Sequence, residues 1–193
     1  MSTPSPLVIS VHDLGRSPGA SRELVTAVPA PDGIGSEVLA VPEGADLDLD
    51  LRLDSVMDGI YITGEVRAPL AGACGRCLGE IDEDLIVDLS ELVLYPERRT
   101  ALVEDGDEEM TDAPVVEGEN VDLEPLVRDA LVLAMPFQPL CRLDCPGLCA
   151  ECGERWDDLP ADHAHEILDP RWAALAGLAS PSGEDEGGDE ATQ

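Results

Sequence analysis

The sequence is organised around the stretch Cys141-Arg-Leu-Asp-Cys145-Pro-Gly-Leu-Cys149-Ala-Glu-Cys152-Gly153. This stretch holds four of the chain's six cysteines within twelve residues. The other two form Cys74-Gly-Arg-Cys77, and two of the three histidines follow as His163-Ala-His165. Cysteines a few residues apart can turn their sulfurs toward one metal ion, so this grouping predicts metal binding.

Eight candidate ligands are enough for two four-coordinate sites. The preferred partition gives Cys74, Cys77, Cys141 and Cys145 to one site, and Cys149, Cys152, His163 and His165 to the other. Each site then joins segments that are separated in sequence, where closing the longer loop contributes most to stability. Two alternatives stay open: a local site made of the four cysteines in 141–152, or a single zinc with the remaining cysteines free. With no position left for water, zinc would be structural and not catalytic.

The glycines of the cysteine block fit this interpretation. Gly153 follows a Cys-x-x-Cys turn, where a positive φ is common, and Gly is the residue that adopts it at least cost. The Pro146-Gly147 pair is typical of a bend between Cys145 and Cys149.

The charge of the chain limits its partners. The formal net charge is −31, and all eleven basic residues are arginine. A chain this acidic repels phosphate backbones, which disfavours direct contact with RNA or DNA. A basic protein is the favoured partner, because opposite fields steer association. The acidity could equally serve only solubility, and Arg142 and Arg171 could still touch RNA.

The start of the chain and its hydropathy predict a cytoplasmic protein. Residues 1–6 show neither the basic nor the apolar region of a signal peptide. No apolar run approaches the roughly 20 residues that cross a bilayer, so no membrane association is expected. Cytoplasmic cysteines stay reduced, which favours metal binding or catalysis over disulfides.

Strict alternation of polar and apolar residues predicts an antiparallel sheet. Residues 46–54 read Asp-Leu-Asp-Leu-Asp-Leu-Arg-Leu-Asp, which puts every leucine on one face of a strand. Asp58-Gly59 predicts a hairpin turn into a second β-rich run over 60–68. Residues 81–95 supply a third run after the first cysteine pair, and residues 7–11 a short strand.

A single core-facing helix is predicted after the sheet. Asp122 can cap it, Pro125 is tolerated in its first turn, and Pro136 ends it. Its apolar stripe follows the i, i+3, i+4, i+7 pattern and consists of Val127, Ala130, Leu131 and Ala134. This stripe is interpreted as core packing.

Two acidic segments carry little apolar content. Residues 97–120 contain nine acidic residues and two arginines, which predicts an acidic surface loop or a disordered insert. Residues 171–178 suggest a short helix, and residues 181–193 a disordered acidic tail. The predicted organisation is an N-terminal segment of short strands and loops over 1–40, a domain over 41–180 and the tail.

Little in the sequence indicates an enzyme. There is no Gly-rich phosphate loop, and the single Gly-x-Ser-x-Gly match, Gly15-Arg-Ser-Pro-Gly19, is interpreted as a turn-rich loop. A redox Cys-x-x-Cys would be expected in a thioredoxin-like βαβ setting, and the β-rich context of Cys74 argues against it. His12 is interpreted as an ordinary surface or core residue.

Several motifs together resemble one family. Cys74-Gly-Arg-Cys77-Leu follows a β-rich half, and the helix ends in Leu131-Val-Leu-Ala-Met-Pro136. The cysteine block comes next, and Asp169-Pro-Arg-Trp-Ala-Ala-Leu175 closes the pattern. Over roughly residues 45–178 the chain resembles the YceD family, the large ribosomal RNA subunit accumulation proteins of bacteria and plastids. Many members carry Cys-x-Cys where this chain has His163-Ala-His165, and either pair can bind zinc.

The resemblance implies a non-enzymatic role in large-subunit ribosome biogenesis, supporting accumulation or processing of the large ribosomal RNA. The expected fold is α+β: an antiparallel β-rich domain that could close like a barrel, then a helix and a zinc-binding C-terminal lobe. Two other functions stay open: a thiol–disulfide redox protein, and a zinc-containing binding module associated with transcription.

Overall fold

The computed structural model describes residues 5–165. By its internal contacts the chain divides into two compact units, Met1–Leu148 and Cys149–Gln193. The helix predicted over 171–178 and the tail predicted over 181–193 lie outside the described residues. The predicted domain boundaries at residues 40 and 180 stay predictions.

The first unit contains seven strands and two α-helices among its described residues. The strands are β1 Val8–Ser10, β2 Ser21–Pro29, β3 Leu39–Ala40, β4 Asp46–Ser55, β5 Gly59–Ala73, β6 Glu80–Leu94 and β7 Asn120–Asp122. The helices are α1 Pro96–Glu104 and α2 Glu124–Ala134. Single 3₁₀ turns occur at His12–Leu14 and Glu108–Asp112, and at Trp156–Asp158 in the second unit.

Strands β4, β5 and β6 form an antiparallel meander. β4 pairs with the first half of β5, with Ser55 opposite Ile60 and Asp48 opposite Arg67. β6 pairs along the whole of β5, so Ala73 lies opposite Glu80. The predicted strands and the turn before Gly59 are confirmed, and the first cysteine pair lies in the turn between β5 and β6.

The alternation in β4 decides which face of this sheet is buried. Its leucines are at most 2% exposed, namely Leu47, Leu49, Leu51 and Leu53. Burying one leucine side chain fully is worth about 1.5–3 kcal/mol, so these four anchor the core. The aspartates that alternate with them lie on the opposite, solvent face.

The outer strand β2 was not predicted from the sequence. It pairs with β4 from Ser21 opposite Asp54 to Pro29 opposite Asp46. Its inward positions are Arg22, Leu24, Thr26 and Val28. Since two of these four are polar, the apolar alternation that marks β4 is too weak here to be recognised.

The sheet is open, so the expectation of a barrel-like closure is wrong. The strand order is β2-β4-β5-β6, with the two-residue β3 beside the far end of β5. Within the described residues β2 and β6 do not pair with each other. A barrel closes only when its edge strands pair, and in the described sheet β2 and β6 remain separate edges.

Helix α2 packs against the core as predicted, with one exception. The Asp122 carboxylate accepts a hydrogen bond from the Glu124 N–H at 2.9 Å at the start of the helix. Val127 and Leu131 are fully buried and Ala130 is half-buried, but Ala134 is exposed and its inclusion in the stripe was wrong. Met135, the residue after the helix, packs on the core instead of Ala134.

The acidic segment over 97–120 is mostly exposed, as a surface loop is, but it contains more regular structure than was predicted. It contains most of α1, a 3₁₀ turn and a main-chain attachment to β6. The Leu94 N–H donates to Pro114 O and the Val116 N–H donates to Leu94 O, both at 2.9 Å. Val116 is buried, and this one apolar anchor among so many acids gave too weak a signal to predict this structure.

Neither α-helix in the described part of the chain is long and apolar enough to cross a membrane.

Candidate metal centres

The first cysteine pair is placed by the β5–β6 turn. The Cys74 N–H donates to Gly79 O at 2.8 Å, and the Leu78 N–H donates to Cys74 O at 2.9 Å. The turn also holds Leu78 at a φ of 57°, unusual for a residue with a side chain. Both cysteines are buried, and they belong to the same core as the leucines of β4.

The segment after α2 brings the second pair to this turn. Pro136 stops the helix, and the chain then runs past the β5–β6 turn, where the Gly75 N–H donates to Pro139 O at 2.8 Å. Cys145 is buried and Cys141 is half-buried. The first cluster therefore joins residues that are far apart in sequence but share one core.

The sulfur positions of the first cluster fit a tetrahedral ion. The Sγ atoms of Cys74 and Cys145 are 3.8 Å apart, and those of Cys77 and Cys141 are 3.7 Å apart. All four sulfurs lie within 4.8 Å of one another. A tetrahedron with zinc–sulfur bonds of about 2.3 Å has edges of about 3.8 Å. A disulfide needs about 2.05 Å, and all six cysteines are free.

The electrostatics of this cluster favour a cation. Backbone N–H groups, first that of Cys141 and then that of Cys77, lower the pKa of Cys74 to about 6. The hydrogen bond with Cys145 raises the pKa of Cys141 to about 12, and burial raises the pKa of Cys145. One thiolate is thus stabilised by the backbone, whereas further thiolates repel each other unless a cation lies among them.

Arg76 supports the first cluster from outside. Its guanidinium donates a hydrogen bond to Cys145 O at 3.0 Å, and its N–H donates to the Cys74 sulfur at 3.4 Å. Gly147 has a φ of 83°, and a Cβ there would lie 3.1 Å from Arg76 O. Sequence analysis did not single out Arg76; its position between Cys74 and Cys77 was the only available signal.

The second cluster is local to the second unit. The Gly153 N–H donates to Cys149 O at 2.9 Å, and the Cys149 N–H donates to Glu154 O at 2.7 Å, which closes a tight turn. Gly153 has the predicted positive φ, at 75°. Cys149 is buried, His163 is half-buried, and Cys152 and His165 are exposed.

The donor atoms of the second cluster also lie at metal-binding distances. Cys152 Sγ and His163 Nε2 are 3.6 Å apart. Tetrahedral zinc bonded to sulfur at about 2.3 Å and to nitrogen at about 2.0–2.1 Å places such a pair about 3.6 Å apart. Backbone N–H groups of Cys152 and Glu151 lower the pKa of Cys149 to about 6.

Rings surround His163 on two sides. Its centroid lies 4.4 Å from that of His165 and 5.5 Å from that of Trp156, both in edge-to-face orientation. Trp156 was not predicted to be near the cluster. It lies on the 3₁₀ turn between the two ligand pairs, with its ring edge-to-face to that of His163.

The structure brings together the same two groups of four that the preferred partition contains. The alternative in which the four cysteines of 141–152 form one local site does not match this grouping, because these cysteines divide between the two clusters. His12 is outside both clusters and pairs with Glu119 at 2.7 Å. Arg142 forms an ion pair with Asp144 at 3.2 Å, while Arg171 lies outside the described residues.

The chain is therefore a mixed α/β protein with antiparallel sheets and two cysteine-rich clusters that could hold metal ions. The family described as large ribosomal RNA subunit accumulation protein YceD matches residues 62–179, which include all eight cluster side chains. The chain belongs to the YceD family, and the resemblance noted in the sequence is confirmed.

Similar proteins occur in several bacteria. Uncharacterized proteins of Mycobacterium tuberculosis and Mycobacterium bovis are 44% identical over 92% of this chain and 83% of their own length. The uncharacterized protein YlbN of Bacillus subtilis is 26% identical over 67% of this chain and 69% of its own length. No solved structure matches the chain.

Proposed function

We propose that this chain is a non-enzymatic ribosome biogenesis factor that supports accumulation or processing of the large ribosomal RNA. The observation that carries the proposal is the family match over residues 62–179, a family described by large ribosomal RNA subunit accumulation. The match includes the residues of both clusters, which supports a structural part for them in the family's role.

Two structural zinc ions are part of the proposal. Thiolate and imidazole donors at tetrahedral spacing are the set that zinc prefers. In each cluster four protein atoms would complete the coordination, so no position is left for a substrate or water. The chain's own residues would then contribute by fixing two loops, and the function would reside on the surface that those loops support.

The partner is proposed to be a basic ribosomal or assembly protein in the cytoplasm. The net charge of −31 makes direct contact with RNA the less favoured alternative, because no excess of cations is available to neutralise phosphates. The same charge accelerates association with a basic protein.

Depletion of the protein from cells that produce it tests the role. Sucrose-gradient analysis should show fewer large-subunit particles relative to small-subunit ones, with precursors of the large ribosomal RNA accumulating. Re-expression of the intact chain should restore the profile. A normal large-subunit profile after complete depletion would contradict the proposal.

A thiol–disulfide redox protein is the second candidate, favoured by the lowered pKa of Cys74 and Cys149, each about 6. A thiolate is the reactive form of cysteine. The two candidates differ in what zinc does to labelling by iodoacetamide. Structural zinc should protect the cysteines until a chelator is added, whereas equal labelling with and without the chelator would support the redox function.

A further inference from the structure

The sheet of the first unit has two faces of opposite character. One face carries the leucines of β4 and is buried in the core. The other, which we call the outer sheet face, is not covered by any described part of the first unit. Cross-strand register assigns to it the acidic residues Glu23, Asp46, Asp48, Asp50, Asp54, Glu65, Glu80, Asp82, Asp84 and Asp88.

The cations on this face are already paired. The Arg52 Nε–H donates a bifurcated hydrogen bond to the two oxygens of the Asp54 carboxylate, at 2.9 and 3.1 Å. Arg67 lies 3.8 Å from the Asp84 carboxylate. In the middle of the face, Asp50, Glu65 and Asp88 have no ion-pair partner among the described residues.

The register then places like charges directly opposite each other. Asp50 faces Glu65 across β4 and β5, and Glu65 faces Asp88 across β5 and β6. Carboxylates opposite each other on neighbouring strands destabilise a sheet. An arginine in this row would remove the repulsion, as Arg67 does one row away, so the face retains a cost that a cationic partner would relieve.

Apolar side chains lie among these carboxylates. Val25 on β2 is 75% exposed and Ile86 on β6 is 48% exposed. Together with Asp48, Asp50, Glu65 and the ion-paired Arg67 they line a trough of about 370 Å³ that crosses the sheet. A lysine or arginine side chain suits such a surface, because its aliphatic stem covers apolar groups while its charged end reaches a carboxylate.

A metal ion suits the face less well than such a side chain. An ion needs several donor atoms converging on one point. Within the described residues, only the two cysteine clusters bring three or more candidate ligand atoms so close together. The carboxylates of the face are spread along four strands, which matches a partner whose charges are spread along a chain.

We propose that the outer sheet face docks an extended, arginine- or lysine-rich segment of a protein partner, with Asp50, Glu65 and Asp88 as its central acidic row. The proposal rests on the function proposed above, since it names the surface by which a basic ribosomal or assembly protein would be held. Nucleic acid is disfavoured because the face repels phosphate.

The test compares two variants of the full chain that lose the same charge. The face variant carries Asp50→Asn, Glu65→Gln and Asp88→Asn. The control variant carries Glu104→Gln, Glu108→Gln and Glu109→Gln, three exposed acids in the segment of α1 and the following 3₁₀ turn. The probe is a synthetic peptide of alternating arginine and alanine, about twelve residues long, titrated at about 0.15 M salt.

The face variant should bind the peptide about tenfold more weakly than the natural sequence, because it loses three direct charge contacts. The control should bind less than about threefold more weakly, because its carboxylates would act only through net charge, which salt screens. The melting temperature of the face variant should be equal or higher, because repulsion is removed, which shows that weaker binding is not unfolding. Equal weakening in both variants, or none in the face variant, would overturn the proposal. Preferential binding of an RNA oligonucleotide of the same length would overturn it too.

The outcome is separable from that of the proposed function. A normal ribosomal profile after depletion contradicts the biogenesis role, whatever the peptide does. If depletion disturbs the profile, cells rescued by the face variant should remain disturbed while cells rescued by the control recover. Full rescue by the face variant would overturn the docking surface and leave the biogenesis role intact.

Discussion

The two cysteine-rich clusters have the same number of ligands but different structural settings. The first is part of a hydrophobic core, with Cys74, Cys77 and Cys145 at most 2% exposed. The second is formed within seventeen consecutive residues, 149–165, with Cys152 and His165 exposed. The first therefore ties a β-hairpin to the segment that follows α2, whereas the second closes one local loop.

This difference shows that a cluster of four ligands can link distant parts of a core or restrain a single short segment. A metal ion in the first cluster would link residues separated by about seventy positions, and its binding free energy would add to folding stability because these ligands meet only in the folded chain. The sulfurs of this cluster also replace apolar side chains that would otherwise fill the core. The second cluster restrains a short segment with few apolar contacts of its own, so metal would be its main source of order.

The largest expected effect comes from removing one thiolate of the first cluster. Cys145→Ser should lower metal affinity at that cluster at least about 100-fold, more than loss of a supporting contact does. By linkage, a loss of this size lowers the melting temperature of the first unit by roughly 5 to 10 °C. Calorimetry together with metal analysis measures both quantities.

Cys152→Ser is the matched control, since it also removes one thiolate but from the exposed cluster. It should remove one metal equivalent and change the melting of the sheet by less than about 2 °C. Equal shifts in the two variants, or a stable Cys145→Ser protein with full metal content, would show that the clusters do not differ as their burial indicates.

Metal removal should proceed in two steps. Protein purified without oxygen should carry about two zinc per chain, one for each group of four ligands. A chromogenic chelator should remove the zinc of the second cluster at least about tenfold faster, because two of its four ligands are exposed and local opening is easier there. One phase of release, or clearly substoichiometric zinc, would reject the two-site interpretation.

A smaller effect is expected from Arg76, the residue that supports the first cluster from outside. Arg76→Ala removes the hydrogen bond to Cys145 O and should weaken metal retention at the first cluster about tenfold, with the faster release from the second cluster unchanged. Arg67→Ala, which removes a surface ion pair on the same sheet, should leave both release phases unchanged. Release rates that respond equally to both substitutions would remove the role given to Arg76.

The smallest expected effect concerns the ion pair of His12 with Glu119, which lies outside both clusters. The hydrogen bond with Glu119, followed by its charge, raises the pKa of His12 above its usual 6.5. A raised folded-state pKa adds stability that is complete below the unfolded-state value and is lost as pH rises through the folded-state value. Because the pair is exposed, this contribution is small.

Thermal melts of the natural sequence and Glu119→Gln measure this contribution. The natural sequence should be more stable by less than about 2 °C near pH 5.5, and the difference should vanish near pH 8.5. Comparing the two proteins at each pH cancels any change in metal content, which both share. A difference that grows with pH would contradict the sign derived for His12.

Much of the fold could be predicted from local patterns. The leucine alternation in β4 and the turn before Gly59 identified the meander, and Asp122 with Pro136 bounded α2. The predictions were incomplete where the signal is weak or nonlocal. β2 turns Arg22 and Thr26 inward, and the regular structure within residues 97–120 depends on Val116 and a main-chain attachment to Leu94.

The sequence by itself determined the eight candidate ligands and the family, because ligand type and spacing are local properties of the chain. Only the tertiary structure decided which cysteines meet, because that depends on where the β5–β6 turn lies relative to the segment after α2. Strand register likewise placed Asp50, Glu65 and Asp88 in one row. Contacts between distant residues depend on packing and strand register, and neither can be predicted from a local sequence pattern.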